Sequence, residues 1–315
     1  MTAAVTVLFL GGLGRSGTTL IERVLARADG VHAVGELVFL WERALAANER
    51  CGCGEPFDAC PFWQAVGKRA FGGWDRVDPV AMRALQARVD RNRFLPLMAA
   101  PWLSRRYRAS LERYAGVLAR IYAAVAEETG AAVLVDSSKH ASTAALLRHV
   151  PGVDARVVQV VRDPRGVAYS WSKVVERPDA TGETSSTMAR LGSVRVAARW
   201  LLYDVLLEVV RRPRTQGRFR YEDFVADPPG AVGRLLAFAG LSAVAGVDMR
   251  GGAFGVGGAT VELEPDHTVA GNPLRFRVGT TEIRSDDEWR ERLPRRDHRI
   301  VSLVTWPLRA VYGYR

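Results

Sequence analysis

Lysine is nearly missing from this chain of 315 residues: of 44 Lys and Arg residues only Lys68, Lys139 and Lys173 are lysine. Arginine is the default cation, which reads as the coding bias of a high-GC bacterium, so a retained lysine such as Lys139 hints at a need for a compact point charge. Cysteine is equally scarce. Cys51, Cys53 and Cys60 all fall within CGCGEPFDAC, too few and too local for a disulfide framework. Their C-x-C-x6-C spacing is not a standard metal pattern, and a fourth ligand would have to come from elsewhere, with His32 the only histidine nearby. The expectation is a glycine-rich loop with idle thiols and no metal. Long apolar runs are absent too: the longest, from Val5 to Leu13, is far short of a membrane span. No Lys or Arg precedes Arg15, which makes the start a poor secretory signal, so the expected location is the cytoplasm.

What is present is ordinary globular material. Hydrophobic residues at 48% and charged residues at 25% exclude a disordered, collagenous or coiled-coil chain. The formal charge of +10 favours anionic partners. Nucleic acid is not the expected one, because the arginines are spread along the chain among acidic residues and no nucleic-acid module is recognisable.

Val5 to Leu10 is a β-branched apolar run that breaks into Gly11-Gly12-Leu13-Gly14, and Leu20, Ile21, Val24 and Leu25 then recur at helical spacing. This reads as strand, glycine-rich loop, helix. The runs from Ala132 to Val135 and from Val157 to Val161, with a helical stretch from Ser142 to His149 between them, form a βαβ unit. The fold class is therefore α/β: an open parallel sheet with helices on both faces. Residues 62–128 are helical in pattern, interrupted near Pro96 and Pro101, and read as a helical insertion in a single domain spanning 1–315. A long helix runs from about Val194 to Val210, and residues 176–193 read as a mobile loop.

Two motifs carry chemistry. Gly14-Arg15-Ser16-Gly17-Thr18-Thr19 lies between strand and helix, where backbone N–H groups and the positive helix end make an anion pocket. Gly12 to Thr19 matches the Walker A loop except that Thr18 stands where the lysine belongs. That departure argues against a nucleoside triphosphate, and keeps an ATP-dependent small-molecule kinase as the second reading. In VVRDPRGVAYS, Asp163 is a good N-cap and Pro164 a good first helical residue, which sets Arg162 at a strand's end and Ser170 on the following helix. Such a pair can grip a phosphate from two directions.

The two motifs, in this order, resemble those of the sulfotransferases that use 3′-phosphoadenosine 5′-phosphosulfate (PAPS). The resemblance extends through RYEDFVADP at Arg220 to Pro228, GNPLRF at Gly271 to Phe276 and the closing YGY. It is closest to bacterial enzymes acting on carbohydrates or small metabolites, with similarity to tyrosylprotein sulfotransferases around the active site. It implies a P-loop, nucleotide-kinase-like fold, PAPS as co-substrate, adenosine 3′,5′-bisphosphate (PAP) as product, a hydroxyl acceptor and no metal. By the same resemblance Gly14, Arg15, Ser16, Gly17, Thr18 and Thr19 hold the 5′-phosphosulfate, Arg162 and Ser170 take the 3′-phosphate, and Tyr221 contacts the nucleotide. Arg275 and Arg277 are expected to close over the phosphates. Glu36, placed by a short turn after the first helix, is the implied general base and Lys139 the cation on the sulfuryl group, with His140 the rival base. Phe39, Trp41, Phe62, Trp63, Trp102 and Tyr107 either line an acceptor cleft or form a helical core.

Overall fold

The computed structural model describes residues 4–178, 187–241 and 252–315. Strand β1 (Val5–Gly11) is the centre of the sheet, and its apolar residues Val7 to Leu10 are fully buried. Burial on both faces is what a continuous apolar run signifies. Helix α1 (Thr18–Leu25) follows, then β2 (Val31–Gly35). Between β2 and the next strand lie α2 (Pro61–Phe71), α3 (Pro79–Val89), the short α4 (Leu95–Ala99) and α5 (Arg105–Thr129). The breaks fall where the sequence dictates them. Asp78 caps α3 ahead of Pro79, Ser104 accepts from the Tyr107 N–H at the start of α5, and Gly130 ends α5 in the left-handed conformation.

Strand β3 (Val133–Lys139), α6 (Ala141–Leu147) and β4 (Val153–Val161) form the expected βαβ unit, followed by α7 (Pro164–Ser172), α8 (Ser193–Val209) and β5 (Gln216–Arg220). All five strands are parallel, in the order β2-β3-β1-β4-β5. The order reverses at β1, and a ligand crevice opens beyond the carboxyl ends of the strands at such a switch point. Helices α9 (Tyr221–Ala226) and α10 (Pro228–Phe238), an antiparallel pair β6 (Thr260–Leu263) and β7 (Gly279–Glu282), then α11 (Trp289–Arg292) and α12 (Arg295–Val311) complete the chain. No helix among the described residues is long and apolar enough to cross a membrane.

Two strands depart from the sequence reading. Gly35 and Glu36 do not follow α1 by a mere turn, because β2 intervenes as an edge strand whose five residues are too few to announce themselves. Strand β5, Gln-Gly-Arg-Phe-Arg, is the opposite edge and is too polar to read as a buried run. Of the loop expected over residues 176–193, positions 179–186 lie outside the described residues. Its ends are tied together by a Glu176–Thr187 bridge and by the Met188 N–H donating to the Val175 carbonyl at 2.8 Å.

Candidate active site

The loop after β1 is shaped by close approaches. A Cβ at Gly12 would meet the Val160 carbonyl at 2.4 Å, and one at Gly17 would strike the Tyr221 ring at 2.2 Å, so side chains are excluded from both. Gly17 is the N-cap of α1, and the helix has no side-chain cap and no acidic residue in its first turn. Its leading N–H groups are therefore available to an anion. They face a cavity of about 380 Å³ whose wall includes Gly14, Arg15, Gly17, Thr18 and Thr19. Ser16 is buried within the loop and does not reach that wall.

The strand ends bring the other groups. Lys139 terminates β3 with a left-handed φ of 70°, where the register between β1 and β3 shifts. An irregularity of this kind re-aims a side chain. Here the Lys139 ammonium forms an ion pair with Glu36 and donates to the Ser137 carbonyl at 3.0 Å. Glu36, just past β2, is held by its own N–H donating to the Val269 carbonyl at 2.7 Å. From β4 and α7 come Arg162 and Ser170, with the Asp163 carboxylate accepting from the Arg165 N–H as the cap of α7. The Arg162 guanidinium lies 4.7 Å over the Tyr221 ring, donates to the Arg15 carbonyl at 3.0 Å and pairs with Asp286 at 2.9 Å.

Four cations, Arg15, Arg43, Lys139 and Arg162, thus share the cavity with one carboxylate, Glu36. Arg15 is the most telling of them. Its φ is 76°, its guanidinium packs 5.7 Å over Trp171, and its Nε is buried with no hydrogen-bond partner among the described residues. Burial pulls its pKa down. One terminal nitrogen donates to the Met188 sulfur at 3.1 Å, but a buried donor left idle, as Nε is, is costly unless an acceptor arrives to meet it.

Arg275 and Arg277 are not part of this wall. Arg275 is buried, donating to the Thr268 carbonyl at 2.7 Å and to the Arg50 carbonyl at 2.5 Å, so its charge knits two loops together. The Arg277 side chain is exposed, and its carbonyl accepts from Arg23 of α1. Basic spacing in a glycine-rich loop suggested phosphate clamps, but backbone carbonyls satisfy an arginine fork equally well. His140 lies half-buried on a second cavity of about 530 Å³, with Asp90, Asn92, Ser142 and Tyr203, and its pKa is lowered by burial. Phe39 lines both cavities. Trp41, Trp63 and Tyr107 are core, and Trp102 is exposed on the surface.

Several groups escaped the sequence reading. Arg43 enters on a π-helical turn, Leu40–Ala46, and Gly271 and Asn272 line the cavity from the GNPLRF segment. Beneath them Glu22 of α1, fully buried, accepts from the Gly35 N–H and the Ser137 hydroxyl, both at 2.7 Å. Burial raises its pKa to about 8. No signal marks Glu22, since a lone acid on a helix normally faces water.

A sequence profile described as the sulfotransferase family matches residues 8–245, a stretch that contains the β1 loop, Glu36, Lys139, Arg162 and Tyr221. The chain belongs to the sulfotransferase family. Among solved structures, a sulfotransferase domain from the curacin biosynthetic pathway is 16% identical with a TM-score of 0.49, over 96% of this chain and 99% of that one. The sulfotransferase domain of the Synechococcus PCC 7002 olefin synthase is 17% identical with a TM-score of 0.45, over 96% and 95%. A sulfotransferase from Alicyclobacillus acidocaldarius is 14% identical with a TM-score of 0.38, over 95% of both chains. No curated protein matches the chain. The four cations gathered beyond β1 lie on the wall of the cavity described above.

Proposed function

We propose that this sulfotransferase moves a sulfuryl group from PAPS to a hydroxyl of a carbohydrate or other small metabolite and releases PAP. The observation that carries this reading is the idle, buried Arg15 donor beside an uncapped helix N-terminus. Together they make a site for a doubly charged phosphosulfate. Arg162 and Ser170 then take the 3′-phosphate and Tyr221 flanks the nucleotide. For that, Arg162 exchanges its bond to Asp286 for one to the phosphate, a trade of one anion for another.

Glu36 is the proposed base. Its ion pair with Lys139 holds the carboxylate in place beside the cation. The acceptor oxygen forms a bond to sulfur as the bond from sulfur to the leaving phosphate oxygen breaks, and Glu36 receives the hydroxyl proton. Lys139 and Arg15 meet the negative charge that grows on the bridging and sulfuryl oxygens. The second cavity, joined to the first at Phe39 and walled by Asp90, Asn92, His140 and Tyr203, is the proposed acceptor site. Its polar lining suits a hydroxylated molecule. Arg275 and Arg277 have no part in this scheme.

Incubation with PAPS and a panel of hydroxylated metabolites, read by mass spectrometry, tests the proposal. A mass gain of one sulfuryl group on an acceptor, with PAP formed in equal amount, is expected. Turnover with ATP and magnesium and none with PAPS would overturn it in favour of a kinase.

A further inference from the structure

The three cysteines, idle in the scheme above, are brought together with a residue distant in sequence. The Sγ atoms of Cys53 and Cys60 are 3.7 Å apart and those of Cys60 and Cys51 3.6 Å. The His267 Nδ1 is 3.4 Å from the Cys60 sulfur and 3.8 Å from the Cys51 sulfur. All four atoms lie within 4.8 Å of one another, and the thiols are free. His32, the neighbour that the sequence offered as a fourth ligand, instead packs its ring at a tilt 5.0 Å from that of Phe62.

These separations have a geometric meaning. Four ligands about 2.0–2.3 Å from a tetrahedral zinc ion stand about 3.4–3.8 Å from one another, the edge lengths of the tetrahedron. The surroundings complete the pattern. The backbone N–H of Cys53 hydrogen-bonds the Cys51 sulfur, that of Glu55 the Cys53 sulfur and that of Trp63 the Cys60 sulfur. Cys60 is also the N-cap residue of the eleven-residue α2, where a thiolate gains from the helix dipole. The His267 ring is set by stacking 4.7 Å from Phe62, and the His267 carbonyl accepts from the Trp63 indole at 2.8 Å. Outer contacts of this kind orient ligands and hold thiolates in charge. We infer that Cys51, Cys53, Cys60 and His267 form a structural Zn²⁺ site, with three thiolates and a neutral imidazole as a closed ligand set.

The site would be a staple and not a catalyst, because no ligand lines the cavity at β1. It joins the loop 51–60 to the segment 266–272, whose Val269 carbonyl holds the Glu36 N–H and whose Gly271 and Asn272 line the cavity. Arg275 clasps the same two segments through the Arg50 and Thr268 carbonyls, and the Gly52 N–H donates to the Thr268 carbonyl at 3.1 Å. Binding would release the thiol protons to solvent and fasten a loop closed over some two hundred residues, a contribution felt as folding stability.

Elemental analysis of the whole chain, purified without chelator, is the test. About one zinc per chain is expected, and protein grown with cobalt in place of zinc should show the visible bands of tetrahedral cobalt and thiolate-to-cobalt charge transfer. His267→Ala should lose the metal, whereas His267→Cys, which restores four soft ligands, should keep it even where Cys60→Ser fails to fold. Removal of zinc by a chelator should lower the thermal midpoint and speed proteolysis at 264–272. A folded preparation, grown with ample zinc and purified without chelator, that holds about a tenth of an equivalent or less overturns the inference, as does iron in place of zinc or a mass two hydrogens light from a disulfide.

Discussion

The two cavities that meet at Phe39 are built from neighbouring stretches of chain and differ in electrical character. The one at β1 sets Arg15, Arg43, Lys139 and Arg162 against Glu36 alone, while the other balances Arg83 and Arg91 against Glu42 and Asp90. An excess of one sign selects a multiply charged anion, and a balanced polar wall suits a neutral hydroxylated molecule. Each has a buried carboxyl beside it, Glu22 under the first and Asp90 in the second, and both are pushed up in pKa chiefly by burial. On the reading proposed above, donor and acceptor would be told apart by charge, with Glu36 on the cationic side.

The largest effect should come from removing that carboxylate's basicity. Glu36→Gln is expected to lower kcat by about 10²–10⁴-fold with PAP affinity nearly unchanged. Lys139→Ala should cost about 10²–10³-fold in kcat, again with little change for PAP, which lacks the sulfuryl group. Steady-state kinetics beside calorimetric titration decide it. Should His140→Ala prove the damaging change and Glu36→Gln a mild one, proton transfer belongs to the second cavity and the division by charge breaks.

Next is the choice among nucleotides. Arg162→Ala should weaken PAP by roughly ten- to a hundredfold, the worth of a charge-assisted bond, and leave AMP almost unaffected. Equal losses for the two ligands would remove the 3′-phosphate from this arginine.

The buried Glu22 predicts a slope in stability. Its folded-state pKa of about 8 is above the ordinary value of 4.5, so between those limits the unfolded chain binds fewer protons than the folded one. Stability is then fully present below pH 4.5 and declines towards pH 8, by roughly 1.4 kcal/mol per pH unit from this group. Asp136 and Asp204, raised by burial to about 6 and about 7, add to the trend. Denaturant unfolding across that range should show Glu22→Gln with a flatter profile than the wild-type chain, and an unchanged profile would mean that the carboxyl is ionised in the fold.

The mildest effect belongs to the neutral side. Tyr203→Phe, which removes one hydroxyl from the second cavity, should raise the acceptor KM a few-fold with PAP affinity untouched. A change in PAP affinity with no change in acceptor KM would put the acceptor elsewhere.

The residues that line the cationic cavity were largely legible in the sequence, because each set is written locally: Gly14 to Thr19 and Arg162 to Ser170 are each a turn and a helix start directly after a strand. The apolar runs of β1, β3 and β4 were readable for a similar reason, since strands buried on both faces need no polar alternation. Contacts between remote segments were not. Nothing near Arg162 announces Asp286, nothing near Cys60 announces His267, and Glu22 looks like any acid on a helix. For Arg275, expected over the phosphates, the structure shows carbonyl partners instead, and a sequence cannot tell a guanidinium that meets a ligand from one that meets carbonyls.

Arg15 and Lys139 share a backbone oddity: both hold φ above +70° or at it, a region that suits glycine and costs other residues about 1–2 kcal/mol. Each of these two cavity-lining side chains is thus carried by a peptide unit the rest of the molecule must force into shape. Breeding this protein for heat resistance alone would drift towards glycine or asparagine at both positions, and the hardier descendants would be the ones that had forgotten their substrate.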